Sequence, residues 1–296
     1  MLPDATRMGC PLVTPFDGGA VDHDALAAVV GHVVAGGVDA LVPCGTTGEF
    51  SSLRPAEQRA VIETTVDAAP GDVPVVAGAS ATAVPEARDR LAAAADAGAD
   101  AALLLPPYYL TATEPAGNEQ FLSAVVEDAP LPVYLYNIPG LVGATLDPET
   151  VAALAERDTV VGLKDSSGDI GHFDAVLEAT PTDFQVFQGF DGALVPATFM
   201  GATGGINALS HLIPETMTAA VEAVRTGEHD RARALQRERI DPLFRFCAAH
   251  GFAAGTKVAL AALGVLDEPA VRPPLTLPDD AARDEIAATV ERIDRS

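Results

Sequence analysis

Lysine is nearly missing from this chain: Lys164 and Lys257 are the only two in 296 residues. Tryptophan is absent, and the aromatics are eleven phenylalanines and four tyrosines. Three cysteines, Cys10, Cys44 and Cys247, are odd in number and widely spaced, with no CxxC pair. That pattern excludes a disulfide framework of the secreted kind, so the thiols are expected to be reduced. No apolar run reaches membrane-spanning length, and the N-terminus lacks the basic start and hydrophobic stretch of a signal peptide. A cytoplasmic protein is therefore expected. The six histidines, at 23, 32, 172, 211, 229 and 250, show no ligand-like spacing, so no metal is expected and all six are assigned to surface or core. Gly-x-Ser-x-Gly and P-loop motifs are missing too, which leaves serine hydrolase and nucleotidase readings without support.

Positive charge is the other scarcity. Forty-two acids face 18 bases, for a net charge of −24. Such a field repels nucleic acid and anionic membranes, and neither is expected as a partner. The acids are spread along the chain, which argues against a disordered acidic tail. An acid-rich, lysine-poor surface suits a salt-accumulating cell, where a Debye length of about 3 Å at 1 M screens the self-repulsion.

What is present is apolar, 48% of the residues, and it alternates between two periods. Near-continuous β-branched and apolar runs over 9–16, 39–45, 73–80, 101–109, 132–137, 159–164, 184–190 and 204–208 read as buried strands. Helical spacing follows each of the first seven. Eight strand–helix units predict a parallel sheet closed as a (β/α)₈ TIM barrel over residues 1–210. An open doubly wound sheet is the alternative, but no Gly-x-Gly-x-x-Gly follows any strand. Beyond residue 210 the spacing is wholly helical, over 214–225, 228–249, 251–263 and 279–293, with 271–275 as an irregular joint. Residues 211–296 are thus expected to form a C-terminal helical bundle packed on the barrel.

In such a barrel the chemistry sits at the carboxyl ends of the strands. Lys164 ends the sixth, where desolvation disfavours its charged form. A free amine there can attack a ketone and form an imine. A structural lysine paired with Asp165 explains the position equally well at this stage. The second strand runs into Gly45-Thr-Thr-Gly-Glu49, a loop able to cradle an anion. Tyr108, Tyr109 and Tyr136 fall at strand ends, where a phenol can shuttle protons to an imine or serve as an amphipathic wall.

Four motifs in order, Gly45-Thr-Thr-Gly-Glu49, Tyr136-Asn-Ile-Pro139, Gly162-Leu-Lys-Asp-Ser-Ser-Gly168 and Gly189-Phe-Asp191, resemble the lysine-dependent pyruvate aldolase family. That family includes dihydrodipicolinate synthase, N-acetylneuraminate lyase and 2-keto-3-deoxygluconate aldolase. The resemblance spans the chain from Leu12-Val-Thr-Pro-Phe16 to Arg272-Pro-Pro-Leu275. It implies a Schiff base between Lys164 and C2 of pyruvate, with Tyr136 as acid and base. Thr46 and Tyr109 would complete a hydroxyl relay, Tyr109 reaching in from a neighbouring subunit of a tetramer built as a dimer of dimers. Thr47 would bind the pyruvate carboxylate, Pro11 and Ile206 would line the pocket, and Ser166, Gly189 and Asp191 would join the substrate-binding set. No cofactor is implied.

The family's synthases place an arginine two residues beyond the proline of the Tyr-Asn-x-Pro motif, and Leu141 stands there. A leucine cannot replace a bidentate guanidinium. Gly192 stands where the neuraminate lyases have Glu. The expectation from these departures is an aldolase cleaving 2-keto-3-deoxygluconate to pyruvate and glyceraldehyde. Leu110-Thr-Ala-Thr113 lacks a phosphate-binding arginine, which weighs against a strong preference for the phosphorylated form. The alternatives are 4-hydroxy-tetrahydrodipicolinate synthase first, then a neuraminate-lyase-like enzyme, a dehydratase, and a non-enzymatic pyruvate-binding protein.

Overall fold

The computed structural model describes the chain apart from residues 4, 111–113 and 295–296. Residues 111–113 of the loop weighed for phosphate recognition therefore lie outside the described residues. Among those described, eight parallel strands build one barrel: β1 (Met8–Cys10), β2 (Ala40–Leu41), β3 (Val76–Gly78), β4 (Ala101–Leu104), β5 (Val133–Asn137), β6 (Val160–Asp165), β7 (Gln185–Gln188) and β8 (Gly204–Ile206). Their order is β2-β1-β8-β7-β6-β5-β4-β3, and a parallel bridge between Leu41 and Val75 joins the two ends. The predicted TIM barrel is the observed fold.

Several strands are shorter than their apolar runs, for local reasons. Pro43, which has no N–H to donate, and a left-handed Cys44 (φ 57°) follow β2. Pro106 and Pro107 follow β4 in the same way. Past β1 the chain makes a small antiparallel hairpin, Phe16–Asp17 with Ala20–Val21, in place of a longer strand. Proline starts the helices Pro55–Ala68, Pro115–Val126, Pro148–Ala155 and Pro214–Arg225, where its fixed φ fits and its missing N–H costs nothing.

After β8 the described chain is helical or irregular. The predicted helix over 228–249 is His229–Leu235 and Asp241–His250, joined by a π turn over Gln236–Ile240. Pro242 sits just beyond that turn; its ring cannot accept a regular carbonyl four residues back, and the wider turn makes room. Helices Phe252–Ala262 and Asp280–Asp294 complete the C-terminal bundle. The bundle is tied to the carboxyl side of the barrel: Gln236 donates to the Asp191 carbonyl (3.2 Å) and accepts from Val195 N–H (3.2 Å). Phe244 packs on Phe190 with ring centroids 4.8 Å apart. That attachment gives the barrel mouth a roof. No helix among the described residues is long and apolar enough to cross a membrane.

Candidate active site

Alternation along β5 turns Tyr134 and Tyr136 into the barrel, one above the other. Tyr134 is fully buried at the lower level, where its hydroxyl donates to Gln185 and accepts from Leu2 N–H (2.7 Å). Burial pushes that phenol up to about 12, so it plugs the barrel as a neutral group. Tyr136, one layer nearer the mouth, is the register partner of Lys164 on β6. The lysine Nζ lies 4.3 Å from the centre of the Tyr136 ring.

Asp165 faces the opposite way, as strand alternation demands. Its carboxylate accepts from Asn137 (2.7 Å) and from the Ser167 backbone (2.9 Å) and hydroxyl (2.6 Å), and contacts His172 (3.2 Å). His172 is thereby raised and Asp165 lowered in pKa, the carboxylate's burial being outweighed by these partners. Among the described residues Lys164 forms no ion pair, so the Asp165 pairing weighed from sequence is not its environment.

Above Lys164 lies a cavity of about 620 Å³. Pro11, Thr46, Thr47, Tyr136, Lys164, Ser166, Gly189, Asp191 and Ile206 all line it, so nine of the ten candidate residues converge on one space. Lys164 and Tyr136 are each 4% exposed. The lysine lies close over Gly189, where an added Cβ would fall 2.1 Å from Ser166 Oγ and 2.7 Å from Lys164 Cε. Asp191 is buried beneath, accepting from Leu209 N–H (2.9 Å); burial raises its carboxyl to about 6, against the pull of that N–H and of Lys164. Cys10, pushed up to about 12 by burial, is an inert thiol.

Tyr109 is the exception. It is 92% exposed with a left-handed backbone (φ 75°), and it does not line the cavity of its own chain. Sequence reasoning also missed one wall. His250 to Ala254 and Pro274 to Thr276, from the C-terminal bundle, line the mouth together with Leu141 and Phe190. His250 is therefore neither a plain surface nor a core residue, contrary to the assignment from spacing. Nothing in the helical period marks a bundle residue as a cavity residue; the Gly251 break between two helices was the available signal.

A (β/α)₈ barrel with a buried lysine at the mouth of its sixth strand is an architecture suited to imine chemistry on a carbonyl substrate. The Dihydrodipicolinate synthetase family model matches residues 4–293, and the chain belongs to that family. It is 40% identical over 281 residues to the 4-hydroxy-tetrahydrodipicolinate synthase of Hyphomonas neptunium, covering 94% of this chain and 95% of that one. It is 41% identical over 236 residues to the synthase of that name from Natronomonas pharaonis, covering 79% of each. The crystal structure of a Bacillus anthracis dihydrodipicolinate synthase superposes with a TM-score of 0.93 at 30% identity, over 98% of this chain and 99% of that one.

These relatives overturn the expectation of a 2-keto-3-deoxygluconate aldolase and favour the synthase that was its alternative. The case against the synthase leaned on position 141 alone. Leu141 is 66% exposed on the rim of a mouth with several other walls, and a rim position is one place among several from which a substrate's charge can be met. The rim also carries His250 and the first turn of helix Phe252–Ala262, whose leading N–H groups have no side-chain cap.

Proposed function

We propose that this chain condenses pyruvate with aspartate semialdehyde to 4-hydroxy-tetrahydrodipicolinate. What supports the reading is the seating of Lys164 beside Tyr136 in the cavity, in a chain whose relatives carry that activity. The Lys164 amine adds to C2 of pyruvate, and loss of water leaves an imine. The imine withdraws electrons, so a proton leaves C3 and an enamine forms. C3 then attacks the aldehyde carbon, whose oxygen takes up a proton and becomes the 4-hydroxyl. Finally the amino group of the semialdehyde adds to C2 and displaces Lys164, closing a six-membered ring. Tyr136 is the phenol placed to carry these protons. Thr46 joins Tyr136 in the hydroxyl relay, and Thr47 holds the pyruvate carboxylate. The rim helix end and His250 favour the second carboxylate, which Leu141 does not reach with a charge.

Tyr109 and Leu110, 92% and 80% exposed, are the surface through which two copies pair, each lending Tyr109 to its neighbour's site. The assembly is a homotetramer of the cytoplasm, adapted to high salt.

The test combines trapping and turnover. Borohydride with pyruvate should leave one adduct, and a digest should place it on Lys164. With aspartate semialdehyde added, pyruvate should be consumed and the ring product appear. An adduct on Lys257, or none, sinks the imine assignment; an adduct on Lys164 without condensation sinks the second substrate alone.

A further inference from the structure

The second lysine has no part in the chemistry above, yet it is fully buried. Lys257 lies on helix Phe252–Ala262, and its Nζ donates to Glu49 Oε1 (2.5 Å) and to the Ala270 carbonyl (2.7 Å). The other Glu49 oxygen accepts from Arg272 N–H (3.0 Å). One carboxylate thus joins three separate stretches of chain. Glu49 itself ends the Gly45–Glu49 loop, and its N–H donates to the Thr46 carbonyl (3.0 Å). The strap that receives Lys257 at Ala270 and carries Arg272 continues into Pro274, Leu275 and Thr276, which also line the cavity.

The loop is also conformationally unusual. Cys44 and Glu49, at φ 57° and 56°, hold left-handed backbone on either side of the turn that carries Thr46 and Thr47. Such strain persists only where the surroundings enforce it. A buried ion pair contributes little net stability, because desolving both charges offsets their attraction. What it supplies is geometry: a fixed distance between Glu49 and the strap.

We infer that Lys257 is a positioning residue for pyruvate: through Glu49 it fixes the Thr46–Thr47 loop and couples it to the strap 270–276. The inference rests on the reading that Lys164 captures pyruvate at this loop. It is independent of the aldehyde that follows.

The experiment is borohydride trapping titrated with pyruvate. Lys257→Met alone leaves a buried carboxylate unpaired and is expected to damage folding. The double variant Lys257→Met with Glu49→Gln removes both charges while keeping side chains of similar length. It should melt within a few degrees of wild type, reach the same maximal trapping, and need at least ten-fold more pyruvate for half of it. A folded double variant with wild-type half-saturation overturns the inference. So does hydrogen exchange on the wild type in which pyruvate protects 45–49 but leaves 270–276 unchanged, a measurement that needs no variant; protection of both stretches together supports it. A wild type that yields no adduct refutes the Lys164 reading and this inference with it, which separates the two failures.

Discussion

Tyr136 and Lys164 are neighbours by strand register, so the proposed proton carrier and the proposed imine-forming amine are fixed by the same hydrogen-bonded ladder. Removing one oxygen from the pair tests the assignment cleanly. Tyr136→Phe should keep the circular dichroism spectrum and lower turnover by about 10²–10⁴-fold, the usual range for a positioned acid and base. Steady-state rates close to wild type would reassign the proton to another group. The residue scale also explains where sequence reasoning reached too far. The missing guanidinium at Leu141 is a real departure, but absence at one rim position does not fix what the rest of the rim presents to an anion.

At the scale of elements, the turn Ala208–His211 after β8 carries a buried histidine that works on stability rather than chemistry. Val13 N–H donates to His211 Nε2 (3.1 Å), and Nδ1–H donates to the Ala208 carbonyl (2.8 Å). Burial holds its pKa down at about 4, against 6.5 in the unfolded chain. As pH falls through 6.5 toward 4, the unfolded state takes the proton first, so folded stability is lost across that window; the full difference corresponds to about 3 kcal/mol. Asp191 acts in the opposite sense: its raised carboxyl takes a proton in the folded state from about pH 6 downward, which offsets part of the loss. His211→Gln should therefore melt below wild type at pH 7, with the gap narrowing toward pH 4.5. Calorimetry showing a constant gap would remove His211 as the titrating group. Elements were also what the sequence displayed most plainly. Eight buried runs and their helices follow from periodicity, and helix Pro214–Arg225 matches the predicted bounds at both ends. The π turn before Pro242, the two-residue length of β2 and the roof over the cavity depend on carbonyl clashes and long-range packing that a local period does not encode.

The whole molecule is governed by its charge of −24. Under the proposed assembly, two copies pairing through Tyr109 must bring two such fields together, which molar salt screens and dilute buffer does not. Dialysis from molar salt into dilute buffer should therefore split the assembly and lower activity in parallel, as read by light scattering and pyruvate consumption. Full activity in dilute buffer would show that the acidic surface serves some other purpose. The roof over the mouth has a consequence of a different kind. The barrel strands are complete by Ile206, whereas Phe244, which covers Phe190, and the strap ending at Thr276 come later in the chain. During synthesis the ribosome therefore completes the barrel's strands before the residues of the cover have been made. Adding the roughly seventy residues from Ile206 to Thr276 takes several seconds at cellular rates, and at the start of that interval Phe190 has been made and the ring that covers it has not. The cavity's last wall is thus among the final parts of the chain to be made.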